Sequence, residues 1–164
     1  MAPSMVELLA RRGVQIQDIA EIVFMLQKPF HPKLTLEECV ESVLTVLEKR
    51  EVQHALYTGI ALDELAEKKL LPEPLQSIME RDEPLYGVDE IMALAITNVY
   101  GSIGLTSFGY LDKEKTGILA KLNEKGPAIH TFLDDLVAGL AAAASARIAH
   151  DKAPADYWES GSVQ

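Results

Sequence analysis

The chain has 164 residues, enough for one domain with a sizeable buried core that needs no disulfide or metal staple. Its 48% apolar and 24% charged residues are those of an ordinary globular protein. Fifteen basic residues against 25 acidic ones give a net charge of −10. That balance excludes a phosphate-backbone groove and so a nucleic-acid partner, yet it is compatible with a phosphorylated ligand held through a metal ion. The single cysteine, Cys39, excludes an intramolecular disulfide and is expected to be a small core hydrophobe. No secretory layout opens the chain, so it reads as cytoplasmic.

Helical periodicity governs almost every segment, and no alternating β-branched run predicts a sheet. The expected fold is all-α, a compact multi-helix domain around a buried central helix. Ser4 caps a first short helix that Gly13 ends. Ile16, Ile19, Ala20, Val23 and Phe24 form the stripe of a second, which stops at Lys28-Pro29. Thr35-Leu36-Glu37-Glu38 is a capping box, and the helix it opens has Leu36, Val40, Val43, Leu44 and Leu47 as its predicted core face. Periodicity resumes over residues 51–70, with Gly59 a break or a close-packing point, and Pro72 and Pro74 introduce a short helix to about Arg81.

Residues 91–111 carry no charged side chain. That length would suffice for a membrane span, but Thr97, Asn98, Ser102, Thr106, Ser107 and three glycines interrupt it. The segment is expected to be a central buried helix followed by a glycine-loosened turn, with peripheral membrane contact left open. Asp112 is expected to start an amphipathic helix through Asn123, and Gly126-Pro127 to introduce a last helix to about His150. Within it, residues 136–146 are eleven uncharged residues, mostly alanine, so this helix should be packed on several sides. Residues 1–152 read as a single helical domain and 153–164 as a frayed tail.

Chemistry concentrates at Asp134-Asp135, flanked by Phe132-Leu133 and Leu136-Val137. Charge in an apolar interior costs several kcal/mol unless paired or metal-bound. Lying well beyond Pro127, the pair is expected to gain little from the helix dipole. Adjacent residues diverge by about 100° around a helix, so only one should face any single centre. His130, four residues before Asp134, is spaced to pair with it on a helix surface. Asp89-Glu90 opens the uncharged helix, where acidic residues also serve as ordinary first-turn groups. Carboxylates drawn from facing helices suit Mg²⁺, a hard cation that accepts phosphate oxygens. Asp112 could add a further oxygen and Lys115 meet a phosphate, although cap and solvated lysine are the plainer roles of each.

Asp89-Glu90-Ile91-Met92, Tyr110-Leu111-Asp112-Lys113-Glu114-Lys115 and Leu133-Asp134-Asp135-Leu136-Val137-Ala138-Gly139 together resemble the ordered motifs of the phosphatidylglycerophosphatase A family. The likeness covers roughly residues 55–150 and is nearest to the soluble Firmicutes branch, the low-temperature-requirement C type. Members of the membrane-bound type are Mg²⁺-dependent phosphatases that convert phosphatidylglycerophosphate to phosphatidylglycerol. The resemblance implies metal ligation by Asp89, Glu90, Asp112, Asp134 and Asp135. It implies phosphate contact by Lys115 and places Asp112, Lys115 and Asp135 in the catalytic machinery. The chain departs from the pattern at Gly109, where the membrane-bound relatives carry arginine, and at Thr116, where they carry proline. Their early glycine, threonine and serine motif and their transmembrane helices have no counterpart in it.

Loss of the arginine makes a phosphomonoester in general the firmer expectation than a lipid phosphate. Other readings compete. An all-α nucleotide pyrophosphohydrolase would use Glu38-Cys39-Val40-Glu41, which is otherwise a solvated face. A non-catalytic helical metal-binding or interaction module would keep the fold alone. Apolar faces on so small a helical chain also suggest a homo-oligomer.

Overall fold

Short polar side chains set where the early helices start. In the computed structural model, which describes residues 3–152, Ser4 Oγ accepts the Glu7 N–H while Glu7 accepts the Ser4 N–H. This capping box opens α1 (Met5–Arg11). Thr35 and Glu38 repeat it at α3 (Leu36–Leu47), and α2 (Ile16–Gln27) lies between. There follow α4 (Arg50–Glu67), α5 (Leu75–Arg81), α6 (Val88–Thr97), a 3₁₀ turn at Asn98–Tyr100, α7 (Ser102–Glu114), α8 (Ile118–Leu122) and α9 (Leu133–Asp151). The fold is all-α as expected, with no strand among the described residues. The tail read over 153–164 lies outside those residues.

The central element is α9. Every residue from 133 to 146 is buried, and the helix packs on α2, α3, α4, α6 and α7. Fully buried Phe132, Leu133, Leu136, Val137 and Leu140 each contribute about 1.5–3 kcal/mol over exposure. The alanines bring neighbours close. A Cβ on Gly139 would lie 3.1 Å from the Ala93 carbonyl oxygen, so the backbone of α6 is pressed directly on α9. Ser42 Oγ donates to Ala144 O at 3.0 Å on the opposite side. Gly59 is a close-packing point and not a break: α4 runs through it, and Phe132, Leu136 and Met92 fill the space beside it. Cys39 is buried in the core, where burial pushes its thiol up to about 11.

Several expectations change. Residues 91–111 do not supply the central helix. They divide between α6 and α7 at the 3₁₀ turn and Gly101, whose φ of 82° and ψ of −158° suit glycine alone. Ile91 on α6 is 67% exposed. Asp112 therefore lies in the last turn of α7, not at the start of a helix. On α3 the inner face is Cys39, Ser42, Val43, Val46 and Leu47, while Leu44 is exposed, because α3 sits between α2 and α9 and turns that face inward. The last helix starts at Leu133, six residues after Pro127.

That start is fixed by another helix. Asp63 of α4, fully buried, accepts the N–H of Phe132 at 3.0 Å and of Leu133 at 2.9 Å. Burial pushes its carboxyl up to about 8, against the pull of those two donors and of Arg12. Beside it, Arg12 donates to Glu67 at 3.0 and 2.6 Å and to Ile129 O at 2.8 Å. Glu67 in turn accepts the Ile129 N–H at 2.7 Å. Thr131 Oγ1 donates to Met79 O at 2.8 Å, completing the attachment of the approach to α9.

Removing a buried acceptor strands its donors. Asp63→Ala is expected to cost about 2–4 kcal/mol, and Asp63→Asn, which keeps one acceptor oxygen, about half of that. Urea denaturation of both variants measures this; equal midpoints for Asp63→Ala and the parent chain would remove Asp63 as the cap of α9.

Candidate functional site

Two helix starts and one helix end meet at a hollow of about 210 Å³. Asp89 and Glu90 occupy the first turn of α6, Asp134 and Asp135 the first turn of α9, and Asp112 the last turn of α7. Lys115, in the left-handed conformation just past α7, reaches into the middle. Its Nζ stands 3.0 Å from Asp112 Oδ1, 3.0 Å from Asp134 Oδ2 and 3.9 Å from Asp135 Oδ1. Asp82, the left-handed cap of α5, lines the same wall. Asp89, Glu90, Asp112, Lys115, Asp134 and Asp135 are thus brought to one hollow.

The arrangement corrects parts of the sequence reading. Asp134 and Asp135 lie at the positive end of a helix, because α9 starts late, and both are buried. Both also converge on one centre, Lys115, since Asp134 Oδ2 and Asp135 Oδ1 approach it from adjacent positions of the turn. Meanwhile Asp134 Oδ1 accepts the Asp135 N–H at 2.8 Å, and Asp89 Oδ1 accepts the Glu90 N–H at 3.0 Å. His130 does not pair with the Asp134 carboxylate. It precedes the helix, its carbonyl accepts the Asp134 N–H at 3.1 Å, and its Nδ1 faces Arg12 Nη2 at 3.4 Å. Burial, then Arg12, lowers the pKa of the ring. The Glu38 and Glu41 pair is elsewhere: Glu38 caps α3 and accepts from Lys152 at 2.6 Å, and Glu41 is exposed.

Charge is the dominant property of the hollow. Asp82, Glu83, Asp89, Glu90, Asp112, Asp134 and Asp135 line it against Lys115 alone, seven carboxyl groups to one cation. Burial, then Asp134 and Asp89, drives the Asp135 pKa up strongly. Burial likewise raises that of Asp134 despite Lys115. Glu90 is raised by desolvation, then by Asp112 and Asp89. Burial works against charged Lys115, but Asp134 and Asp112 outweigh it and raise its pKa. The donors are all oxygen, the chemistry of a hard cation, and their charge is under-neutralised. No three of them stand ready-converged as an ion cage among the described residues; the lysine ammonium lies among them instead. The donors are of the oxygen type that a hard divalent cation takes, and their charge exceeds what Lys115 neutralises.

Sequence reasoning passed over Asp82, whose only signal is its place in the Arg-Asp-Glu-Pro turn, and Asn123 on the hollow's rim.

Fold and hollow define the class: an all-α domain with a buried carboxylate cluster where helix ends meet. Residues 6–150 match the family described as phosphatidylglycerophosphatase A, and the chain belongs to that family. The match takes in the amino-terminal helices, beyond the residues on which the motifs lie. The chain is 64% identical over 144 residues to the uncharacterized protein YpjQ of Bacillus subtilis, covering 88% of this chain and 81% of that one. It is 32% identical over 114 residues to the uncharacterized protein MJ1330 of Methanocaldococcus jannaschii, covering 68% and 84%. Among solved structures, the low temperature requirement C protein from Listeria monocytogenes superposes with a TM-score of 0.87 at 60% identity, over 89% of this chain and 92% of that one.

At Gly109, where the family pattern noted above has arginine, the structure offers room. The residue is exposed on α7, three positions before Asp112 and so on the same side of the helix, and a Cβ there meets nothing within 4 Å. Gly109→Arg is expected to stabilise the fold by about 0.5–1 kcal/mol, because glycine inside a helix is the poorer former. A lower denaturation midpoint for this variant would show that residue 109 is sterically closed.

Proposed function

We propose that this protein is a Mg²⁺-dependent phosphatase that hydrolyses a phosphomonoester, with phosphatidylglycerophosphate as the family-implied substrate and phosphatidylglycerol as product. The observation that carries this is the charge deficit of the hollow: seven carboxyl groups, three of them buried aspartates, around a single lysine. Such a group of oxygens is costly to bury unless a cation completes it. Asp89, Glu90, Asp112, Asp134 and Asp135 are the residues that would hold the ion. When bound, it supplies positive charge to a phosphoryl oxygen and acidifies a water.

The chain's own groups divide the remaining work. Lys115 meets a phosphate oxygen and fixes the phosphoryl group. Asp135, the least exposed of the three carboxylates around Lys115, would hold the ion from the buried side. Asp112 has a side chain 36% exposed, against 8% for Asp134 and 5% for Asp135. It is the carboxylate open enough to take a proton from attacking water. The water oxygen forms the new bond to phosphorus. The ester P–O bond breaks, and its electron pair leaves on the alcohol oxygen. No helix among the described residues is long and apolar enough to cross a membrane, so a lipid substrate would meet the hollow at the protein surface. The pyrophosphohydrolase reading lacks this support, since Glu38 is engaged as a cap and ion pair away from the hollow.

Two measurements test the reading. Phosphate release from phosphatidylglycerophosphate and from soluble phosphomonoesters, with and without Mg²⁺, should be metal-dependent; release from none of them would overturn it. Mg²⁺ at 100 times its Kd should stabilise the folded chain by about 2.7 kcal/mol, raising Tm by about 5–10 °C. Asp135→Asn should abolish both the release and the rise.

A further inference from the structure

Lys115 sits between the carboxylates of the hollow, on oxygens that a divalent cation would need. Its Nζ donates to Asp112 Oδ1 and to Asp134 Oδ2, each at 3.0 Å, and stands 3.9 Å from Asp135 Oδ1. Asp134 has nothing left over: its other oxygen, Oδ1, accepts the Asp135 N–H at 2.8 Å. Two cations a few ångströms apart also repel. A divalent ion held by Asp112 and Asp134 and the ammonium in its present place therefore exclude one another.

The side chain is free to leave while the main chain stays. The Lys115 N–H bonds Leu111 O at 3.0 Å, and the residue takes the left-handed turn, φ 46°, just past α7. The ammonium hangs from this fixed point on a flexible four-carbon stem. It has somewhere to go, since the hollow keeps about 210 Å³ open with the lysine in place.

Charge sets an order. Asp82, Glu83, Asp89 and Glu90 line the hollow together with the three carboxylates around Lys115, so a phosphate dianion is repelled from it. Lys115 offers that anion little help, because two of its three donors already serve Asp112 and Asp134. A divalent cation reverses both conditions at once.

We infer that Lys115 is a built-in counter-ion that closes the site, and that a divalent cation takes its place and releases its ammonium to bind phosphate. This rests on the phosphatase reading above and adds its regulation: the cation binds first and phosphate second. One side chain thereby links the two events, and before the cation arrives the carboxylates remain paired with lysine.

The test uses the full chain, Mg²⁺ and inorganic phosphate, and needs no turnover. Nitrogen NMR of lysine side chains should show a protected Lys115 ammonium in the metal-free chain, assigned by its loss in Lys115→Met. Saturating Mg²⁺ should shift that signal or abolish its protection. Inorganic phosphate should alter the signal in the Mg²⁺-loaded chain only. Lys115→Met, which keeps most of the stem and removes the charge, should bind Mg²⁺ about 5–150-fold more tightly by calorimetry. Its Tm should lie below the parent's without metal and match it at saturating Mg²⁺, because the ion then stands where the ammonium stood. If the variant does not fold without Mg²⁺, the spectra of the parent chain decide.

A Lys115 signal unmoved by saturating Mg²⁺, or equal Mg²⁺ affinity in variant and parent, overturns the inference. So does the same loss of Tm with and without Mg²⁺, which would make Lys115 a permanent structural ion pair, or a response to phosphate in the metal-free chain. None of these outcomes touches Mg²⁺-dependent phosphate release, which stands or falls by its own assay. A chain in which Mg²⁺ displaces Lys115 but which releases phosphate from no ester ends the phosphatase reading and upholds the exchange.

Discussion

The amino end of α9 is buried, and a buried helix start has N–H groups that water cannot reach. Asp63 takes those of Phe132 and Leu133 from the side of α4. The next two residues are Asp134 and Asp135. The carboxylate that closes the helix therefore also decides where the acidic pair stands. Arg12 and Glu67 hold Ile129 just upstream, so α1 and α4 together set the register of the loop that delivers the pair to the hollow. Every other contact of the site is made relative to that position.

Magnitudes show why the hollow stays electrostatically incomplete. A helix amino terminus stabilises a nearby carboxylate by about 0.3–1 kcal/mol, and somewhat more when partly buried. Burial of an ion costs several kcal/mol. Two helix starts and one lysine cannot offset buried Asp89, Asp134 and Asp135 together, and the raised pKa of Asp134 and Asp135 expresses that shortfall. Backbone strain gathers at the same place. Of the non-glycine residues with positive φ among the described residues, Asp82, Leu85 and Lys115 all line the hollow. Each such residue costs about 1–2 kcal/mol, and strain of this kind persists where the surrounding fold enforces a working geometry.

Much of the helical order was legible from sequence because its signals are local. Ser4 with Glu7 and Thr35 with Glu38 announce their helices within four residues of chain. The carboxylates drew notice for a local reason too, since Asp134-Asp135 interrupts an apolar run. What sequence missed was long-range. Asp63 looks like one more acidic residue on an amphipathic helix until its partners, 69 and 70 positions away, are seen. Without that cap the natural start for α9 is Gly126-Pro127, and from it follow the mistaken dipole argument and the mistaken His130 pairing. The uncharged run 91–111 misled differently. Absence of charge was taken for central burial, whereas α6 and α7 are each buried only in part, on the sides that meet α9, α4 and one another.

The alanine-rich stretch of α9 and its acidic start express one constraint. Large side chains hold packed helices some 8–10 Å apart, and glycine or alanine at the contact lets them draw closer. At Gly139 the backbone of α6 rests on α9 through Ala93, and Gly104 of α7 packs on the Thr97 carbonyl at the end of α6. These contacts bring the start of α6, the end of α7 and the start of α9 into a group small enough for Lys115 to meet Asp112 and Asp134 at once. Bulkier residues along α9 would bury more apolar surface yet spread the carboxylates beyond the reach of one side chain. Tight packing along the helix and uncompensated charge at its end are therefore linked: the first keeps the second concentrated.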